Sequence, residues 1–81
     1  MKVVAEIPHE HYQIKIFHFN SKYIVQVVLD QYEQTFKVNE IDVIDLEGVK
    51  KMITPELLSN CLRRFIAMRE DWTNAFNTLN N

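Results

Sequence analysis

Hydrophobic and polar side chains alternate along most of the N-terminal half of this chain. The alternation is clearest over residues 12–19 and 23–29, and a period of two is typical of a β-strand with one buried face. Shorter β-rich runs occupy residues 2–7 and 35–38. Only a few turn-forming residues separate consecutive runs, which suits hairpins and is too short for parallel crossovers. We therefore expect an antiparallel meander of three or four strands over residues 1–39.

The pattern becomes helical towards the C-terminus. Thr54, Pro55 and Glu56 form a helix start, with a capping hydroxyl, a proline at the first helical position and an acid in the first turn. The helical spacing of the apolar residues that follow predicts one long amphipathic helix within residues 54–79, beginning at Pro55 and ending near Asn77. The apolar residues recur at Leu58, Leu62, Phe65, Trp72, Phe76 and Leu79.

Residues 40–53 follow no single period. Part of this segment would extend a strand and part has helical spacing, while Gly48 weakens a helix there. We treat it as a connector with at most one short helical turn, and leave strand, helix and loop open. The chain has 81 residues, which suits a single domain. The predicted fold class is α+β, with the meander followed by a long helix packed on one sheet face.

The C-terminal helix carries more apolar surface than one contact with a sheet requires. Its apolar side chains cover about half of the circumference, whereas a helix on a single core has a stripe of roughly 100°. Either a second copy of the chain or the connector 40–53 would cover the excess, and the sequence favours neither. Trp72 and Phe76 are the candidate interface residues, since they lie near the distal end of the helix.

Arg69 lies near the centre of this apolar side, where a buried and unpaired guanidinium would be strongly unfavourable. Its stem could lie on the core with the charged head in water. It could instead stack on Trp72 or pair with a carboxylate, or enter a cleft that receives an acidic ligand. The candidate carboxylates are Asp30, Asp42 and Asp45. We expect Arg69 to have a structural role, by snorkelling or by pairing.

The charge balance bears on nucleic-acid binding. The formal net charge is −2, whereas nucleic-acid binders are usually basic because phosphate neutralisation supplies most of their affinity. Nucleic acid is therefore not the expected partner. The alternative function is nevertheless a nucleic-acid-associated regulator that uses Arg63, Arg64 and the strand lysines. Phe17 and Phe19 share one face of a predicted strand, and such rings can stack on bases.

We find no residue constellation for catalysis or metal binding. His9, His11 and His18 match no zinc-ligand spacing. Cys61 falls on the apolar side of the helix with no histidine near it in sequence, so we expect a buried and unreactive thiol. The acidic stretch 40–47 lacks the alternating acids and mid-loop glycine of a calcium loop. We therefore expect no enzymatic activity, no metal and no cofactor.

The remaining features concern location and function class. A single cysteine cannot form an internal disulfide, and no apolar run approaches the roughly 20 residues that span a bilayer. Glu6 interrupts the N-terminus before a signal-peptide core could form. These features predict a cytoplasmic protein that does not associate with membranes. We expect a non-enzymatic interaction or accessory domain that binds a second copy of itself, as a homodimer, or an unidentified protein.

Overall fold

Four antiparallel strands form one sheet in the computed structural model, which describes residues 1–80. They are β1 (Lys2–Ile7), β2 (Gln13–Phe19), β3 (Lys22–Leu29) and β4 (Tyr32–Asn39). Their order, β1-β2-β3-β4, confirms the predicted meander. β4 begins earlier than predicted because Asp30 and Gln31 alone link it to β3, and Asp30 has a φ of 57°, a left-handed conformation that aspartate tolerates in turns.

Turn geometry fixes which side chains share a face of the sheet. Asn20 and Ser21 close the β2–β3 hairpin with φ angles of 52° and 60°, and two successive positive values are typical of a type I′ turn. The resulting register places Ile16 opposite Val25. We call the face that carries these two buried residues the covered face. The opposite, uncovered side is the outer face.

The connector contains two short helices, α1 (Glu40–Val43) and α2 (Leu46–Met52), which is more helix than the sequence predicted. Between them, Ile44 has a φ of 73° and a ψ of −55°, and the amide of Asp45 donates to the carbonyl of Val43 over 2.8 Å. This is the rare γ-turn, with ideal angles of about +75° and −65°. The Asp45 side chain then caps α2 by accepting from the amide of Gly48 over 3.0 Å.

The C-terminal segment forms α3 (Pro55–Asn77), followed by a short 3-10 turn at Thr78–Asn80. These bounds confirm the predicted helix, and residue 81 lies outside the described residues. The Thr54 hydroxyl accepts from the amide of Leu57 over 3.1 Å. This capping bond satisfies one of the amide donors that the first helical turn leaves free.

The core lies between the covered face and the helices α2 and α3. Two side chains bind backbone oxygens of α3 directly: the hydroxyl of Tyr12, immediately before β2, donates to Leu58 over 3.1 Å, and the amide of Gln34 in β4 donates to Cys61 over 2.8 Å. α3 is therefore fixed on the sheet by hydrogen bonds as well as by apolar packing. The buried core residues are Tyr12, Ile14, Ile16, Tyr23, Val25, Val27, Val49, Cys61 and Phe65.

Candidate interaction surface

α3 continues beyond the sheet that it covers. Its proximal half, residues 55–68, contributes the core residues of the helix, and Met68 is the last α3 residue, among residues 1–80, that packs against the core. Every residue from Arg69 to Leu79 is exposed. At 1.5 Å per residue, the distal half, residues 69–77, projects roughly 13 Å. The molecule is accordingly elongated, with extents of 51 × 26 × 18 Å.

One apolar face runs through both halves of α3 and into the 3-10 turn that follows it. Cys61 and Phe65 on this face are 0% and 2% exposed, whereas Trp72 and Phe76 are both 61% exposed and Leu79 is 78% exposed. These residues follow one another at intervals of three or four with Met68 between them, which places them on the same side of a helix. We call Trp72, Phe76 and Leu79 the distal stripe. The face that enters the core thus continues into solvent.

The connector does not cover this surplus apolar surface. Its α2 packs on the core through Val49, which is fully buried, and Met52 and Ile53 line a cavity together with Leu57, near the start of α3. Leu62 and Ile66, which flank the apolar face, remain 45% and 54% exposed. Because Trp72, Phe76 and Leu79 remain exposed, the connector is excluded as the cover of the distal stripe.

No helix of the described chain has the length and apolarity needed to cross a bilayer.

Arg69 marks the point where α3 leaves the sheet. Its guanidinium Nη2 lies 3.6 Å from Oδ2 of Asp30 in the β3–β4 turn. Both side chains are largely exposed, at 62% and 70%, and exposed ion pairs contribute at most about 1 kcal/mol to stability. The pair orients the start of the distal half more than it stabilises the fold. The structure thus places Arg69 beside one of its three candidate carboxylates.

An open groove lies between the β3–β4 turn and the distal half of α3. Gln31 and Tyr32 form one wall, and Met68, Asp71 and Trp72 form the other. Tyr32 is half-buried and belongs to the covered face, because it pairs with Leu29 of β3. Trp72 therefore lies across the groove from the end of the sheet, while most of the residue is exposed to water.

A second, more enclosed apolar cavity lies beneath the start of α3. Its volume is about 160 Å³. A cavity of roughly 150 Å³ with an aliphatic and aromatic lining can hold a benzene molecule, so this one is large enough for a single aromatic ring. Its lining comes from β3, β4, α2 and α3, and consists of Val25, Phe36, Lys37, Val38, Val49, Met52, Ile53 and Leu57.

β4 forms an edge of the sheet, with a hydrogen-bonded neighbour on one side only. Its register with β3 is regular from end to end, and it contains no proline. Glu33 and Lys37 lie on the outer face at equal distances along the strand from Thr35. Neither Glu33 nor Lys37 was among the predicted site residues; the signal in the sequence was two opposite charges four residues apart.

The basic residues of the nucleic-acid hypothesis do not form one surface. Lys15, Lys22 and Lys37 lie on the outer face, whereas Arg63 and Arg64 are exposed on α3, which packs on the covered face. The sheet separates the two sets. Phe17 and Phe19 share one face of β2, as the alternation predicted, and this is the outer face, which also carries Glu6 and Glu33.

The three histidines occupy different places. Nδ1 of His9 accepts from the amides of His11 and Tyr12 over 3.1 and 3.3 Å, so His9 shapes the β1–β2 loop. His18 lies at the other end of the sheet, with Nε2 3.4 Å from Oε1 of Glu40. Within residues 1–80, no three side chains of His, Cys, Asp or Glu converge as a metal site would require.

Cys61 is fully buried in the core. Burial raises the pKa of its thiol, and the nearby Arg64 guanidinium only partly opposes this shift. Since the thiolate is the nucleophilic form, Cys61 is protonated and shielded at neutral pH. Its environment is that of a core residue.

No protein-family model, curated protein or solved structure matches this chain. Four features of the structure therefore characterise the candidate surface: the distal stripe, the groove beside Trp72, the apolar cavity and the free edge of β4.

Proposed function

We propose that this chain is a non-enzymatic interaction domain that forms a homodimer through the distal stripe of α3. The observation that carries the proposal is the change along one helix face, from Phe65 at 2% exposed to Trp72 and Phe76 at 61%. Contiguous exposed apolar surface marks interaction sites, and aromatic residues are enriched at the cores of interfaces. The distal stripe combines both features.

A second copy of the chain is the occupant that best suits the distal stripe. After Asp71 the described helix carries no charged residue, so the stripe does not select an acidic or a basic partner. A twofold dimer uses the same surface of both copies, so each distal stripe gains apolar surface from the other copy, and twofold dimers are the commonest soluble assemblies. The buried free thiol suits the reducing cytoplasm, which we propose as the location.

Sedimentation equilibrium tests this proposal. We expect the parent chain to pass from monomer to dimer at micromolar concentrations, and the double variant Trp72→Ala, Phe76→Ala to remain monomeric. A matched control is Val3→Ser, which removes an apolar side chain that is 44% exposed on β1, at the opposite edge of the sheet, and should leave dimerisation unchanged. A parent chain that stays monomeric at several hundred micromolar would refute the proposal.

Nucleic-acid binding is the second candidate function, supported by the uncovered outer face. Phe17 and Phe19 lie there with three lysines, an arrangement that suits stacked bases and phosphates. Glu6 and Glu33 on the same face weaken the attraction. A genuine phosphate-binding surface loses affinity steeply as salt rises. Binding of single-stranded RNA or DNA that did not weaken with salt would argue against this candidate.

A further inference from the structure

The distal stripe is small for a whole dimer interface. Aromatic side chains bury about 150–250 Å² each when fully covered; the exposed parts of Trp72, Phe76 and Leu79 therefore offer roughly 300–450 Å² per copy. A specific interface buries about 1,000 Å² or more over both partners. A second contact is needed, and the sheet has two free edges that could provide it.

The β1 edge is protected against pairing. Its register with β2 shifts between Val3 and Ala5, and such a bulge bends an edge strand away from a flat partner. The bulge also separates its charges: Lys2 pairs with His18 on the covered face, whereas Glu6 pairs with Lys15 on the outer face. Lys2 and Glu6 therefore cannot lie opposite each other if two β1 strands pair.

We propose that β4 is the dimerisation edge, where two copies pair antiparallel around a twofold axis at Thr35 and form one eight-stranded sheet. This inference rests on the proposed homodimer and identifies the surface that completes it. The edge amides and carbonyls of β4 then find partners in the second copy, as unpaired strand edges tend to do. The protected β1 edges end the sheet, so the assembly closes as a dimer.

Charge complementarity selects this register. Pairing around Thr35 places Glu33 of each copy opposite Lys37 of the other, so that two ion pairs form on the outer face. Within the described chain, Glu33 accepts one hydrogen bond, from Gln26, and Lys37 takes part in none of the ion pairs. Registers that are centred on Glu33 or on Lys37 would instead place like charges opposite each other.

The same register joins the distal stripe to the apolar cavity. Tyr32 lies opposite Val38 of the other copy, and both residues belong to the covered face. Tyr32 lines the groove that holds Trp72, and Val38 lines the cavity of about 160 Å³. Directly opposed residues have Cβ atoms about 5 Å apart. Pairing of the strands therefore brings Trp72 of each copy towards the mouth of the other copy's cavity.

Charge reversal tests the register. Glu33→Lys and Lys37→Glu, made separately, each create two like-charged contacts in the homodimer, and we expect the dimer Kd to rise about tenfold or more. The double variant restores both attractions and should return close to the parent Kd. An equimolar mixture of the two single variants should also associate, because the heterodimer contains two opposite-charged pairs. Sedimentation equilibrium measures all four samples.

A cysteine cross-link gives an independent measurement. Thr35→Cys places the new thiols of two copies across the twofold axis, within reach of a disulfide. Glu33→Cys is the matched control on the same strand and face, with its thiols about 13 Å apart in the same dimer. Mild oxidation should rapidly yield covalent dimer from Thr35→Cys alone, since Cys61 is buried.

The outcomes separate this inference from the homodimer itself. If the parent chain dimerises and the charge reversals do not change the dimer Kd, or if both cysteine variants cross-link equally, the β4 pairing is wrong. The homodimer through the distal stripe would remain supported. A monomeric parent would refute the homodimer. Circular dichroism of each variant below the dimer Kd checks its fold, and the cross-linking result decides the question if a charge variant fails to fold.

Discussion

The proximal and distal halves of α3 have the same apolar pattern and opposite surroundings. Cys61 and Phe65 in the proximal half are buried, whereas Trp72 and Phe76, on the same face of the distal half, are mostly in water. The spacing of apolar residues shows which side of the helix is apolar. It does not show how far along the helix the sheet covers that side. That boundary is set by the β3–β4 turn, where Arg69 meets Asp30.

The largest expected contrast is between two phenylalanines on that face. Phe65→Ala should lower the free energy of unfolding by about 3–5 kcal/mol because it leaves a cavity in the core. Phe76→Ala should change it by less than about 0.5 kcal/mol in the monomer, since it removes an exposed side chain. Urea denaturation below the dimer Kd measures both. Equal losses would mean that the distal half also lies on a core.

The start of α3 should tolerate less change than its end. Thr54→Ala removes the capping bond to Leu57 and should cost about 1 kcal/mol. Thr78→Ala removes a bond from the threonine hydroxyl to the Ala75 carbonyl, in a part of the chain that packs on nothing in the monomer, and should cost less. Thermal unfolding of the two variants compares them; a greater loss for Thr78→Ala would show that the distal end anchors the fold.

The ion pair at the boundary between the halves should contribute little. Arg69→Leu should change the free energy of unfolding by less than about 1 kcal/mol, because neither Arg69 nor Asp30 is left buried without its partner. Asp30→Asn is the matched change, since asparagine also tolerates a positive φ. A double-mutant cycle gives the coupling between them. A loss of about 3 kcal/mol or more for Arg69→Leu would indicate a buried pair.

Thiol reactivity compares the two halves of α3 with the smallest expected effect on stability. Cys61 should react with an alkylating reagent only after unfolding, whereas the thiol of Ala75→Cys in the distal half should react at once. Because the pKa of Cys61 is raised in the folded chain, the unfolded chain loses this proton at a lower pH than the folded chain does. The contribution of Cys61 to the free energy of unfolding is therefore constant below a pH of about 8.5 and falls as the pH rises further. A native-state reaction at Cys61 would contradict its burial.

Much of the fold was readable from local signals. Alternation predicted β2 and β3 because one face of each strand lies on the core, and the Thr54 cap with Pro55 predicted the start of α3. The structure of the connector was harder to predict because its apolar residues are not all buried: Ile41 and Ile44 are both 85% exposed. Gly48, which argued against a helix, is needed in one, since a Cβ there would lie 2.2 Å from the Val43 carbonyl oxygen.

The candidate surface was only partly readable. Trp72 and Phe76 could be named from helical spacing, but the extent of their exposure depends on where the sheet ends. The cavity combines residues from four separate elements, a convergence that no local pattern contains. The pairing of Glu33 with Lys37 becomes apparent only once β4 is known to be an edge and Thr35 its centre.

Fluorescence of the single tryptophan tests the central claim most directly, since Trp72 is the only one in the chain. In the monomer it is 61% exposed and should emit like a solvated indole. We predict that its emission maximum moves to shorter wavelength as concentration rises, in parallel with the conversion of monomer to dimer seen by sedimentation. A spectrum that stays that of a solvated indole while the mass doubles would contradict the distal stripe as the interface.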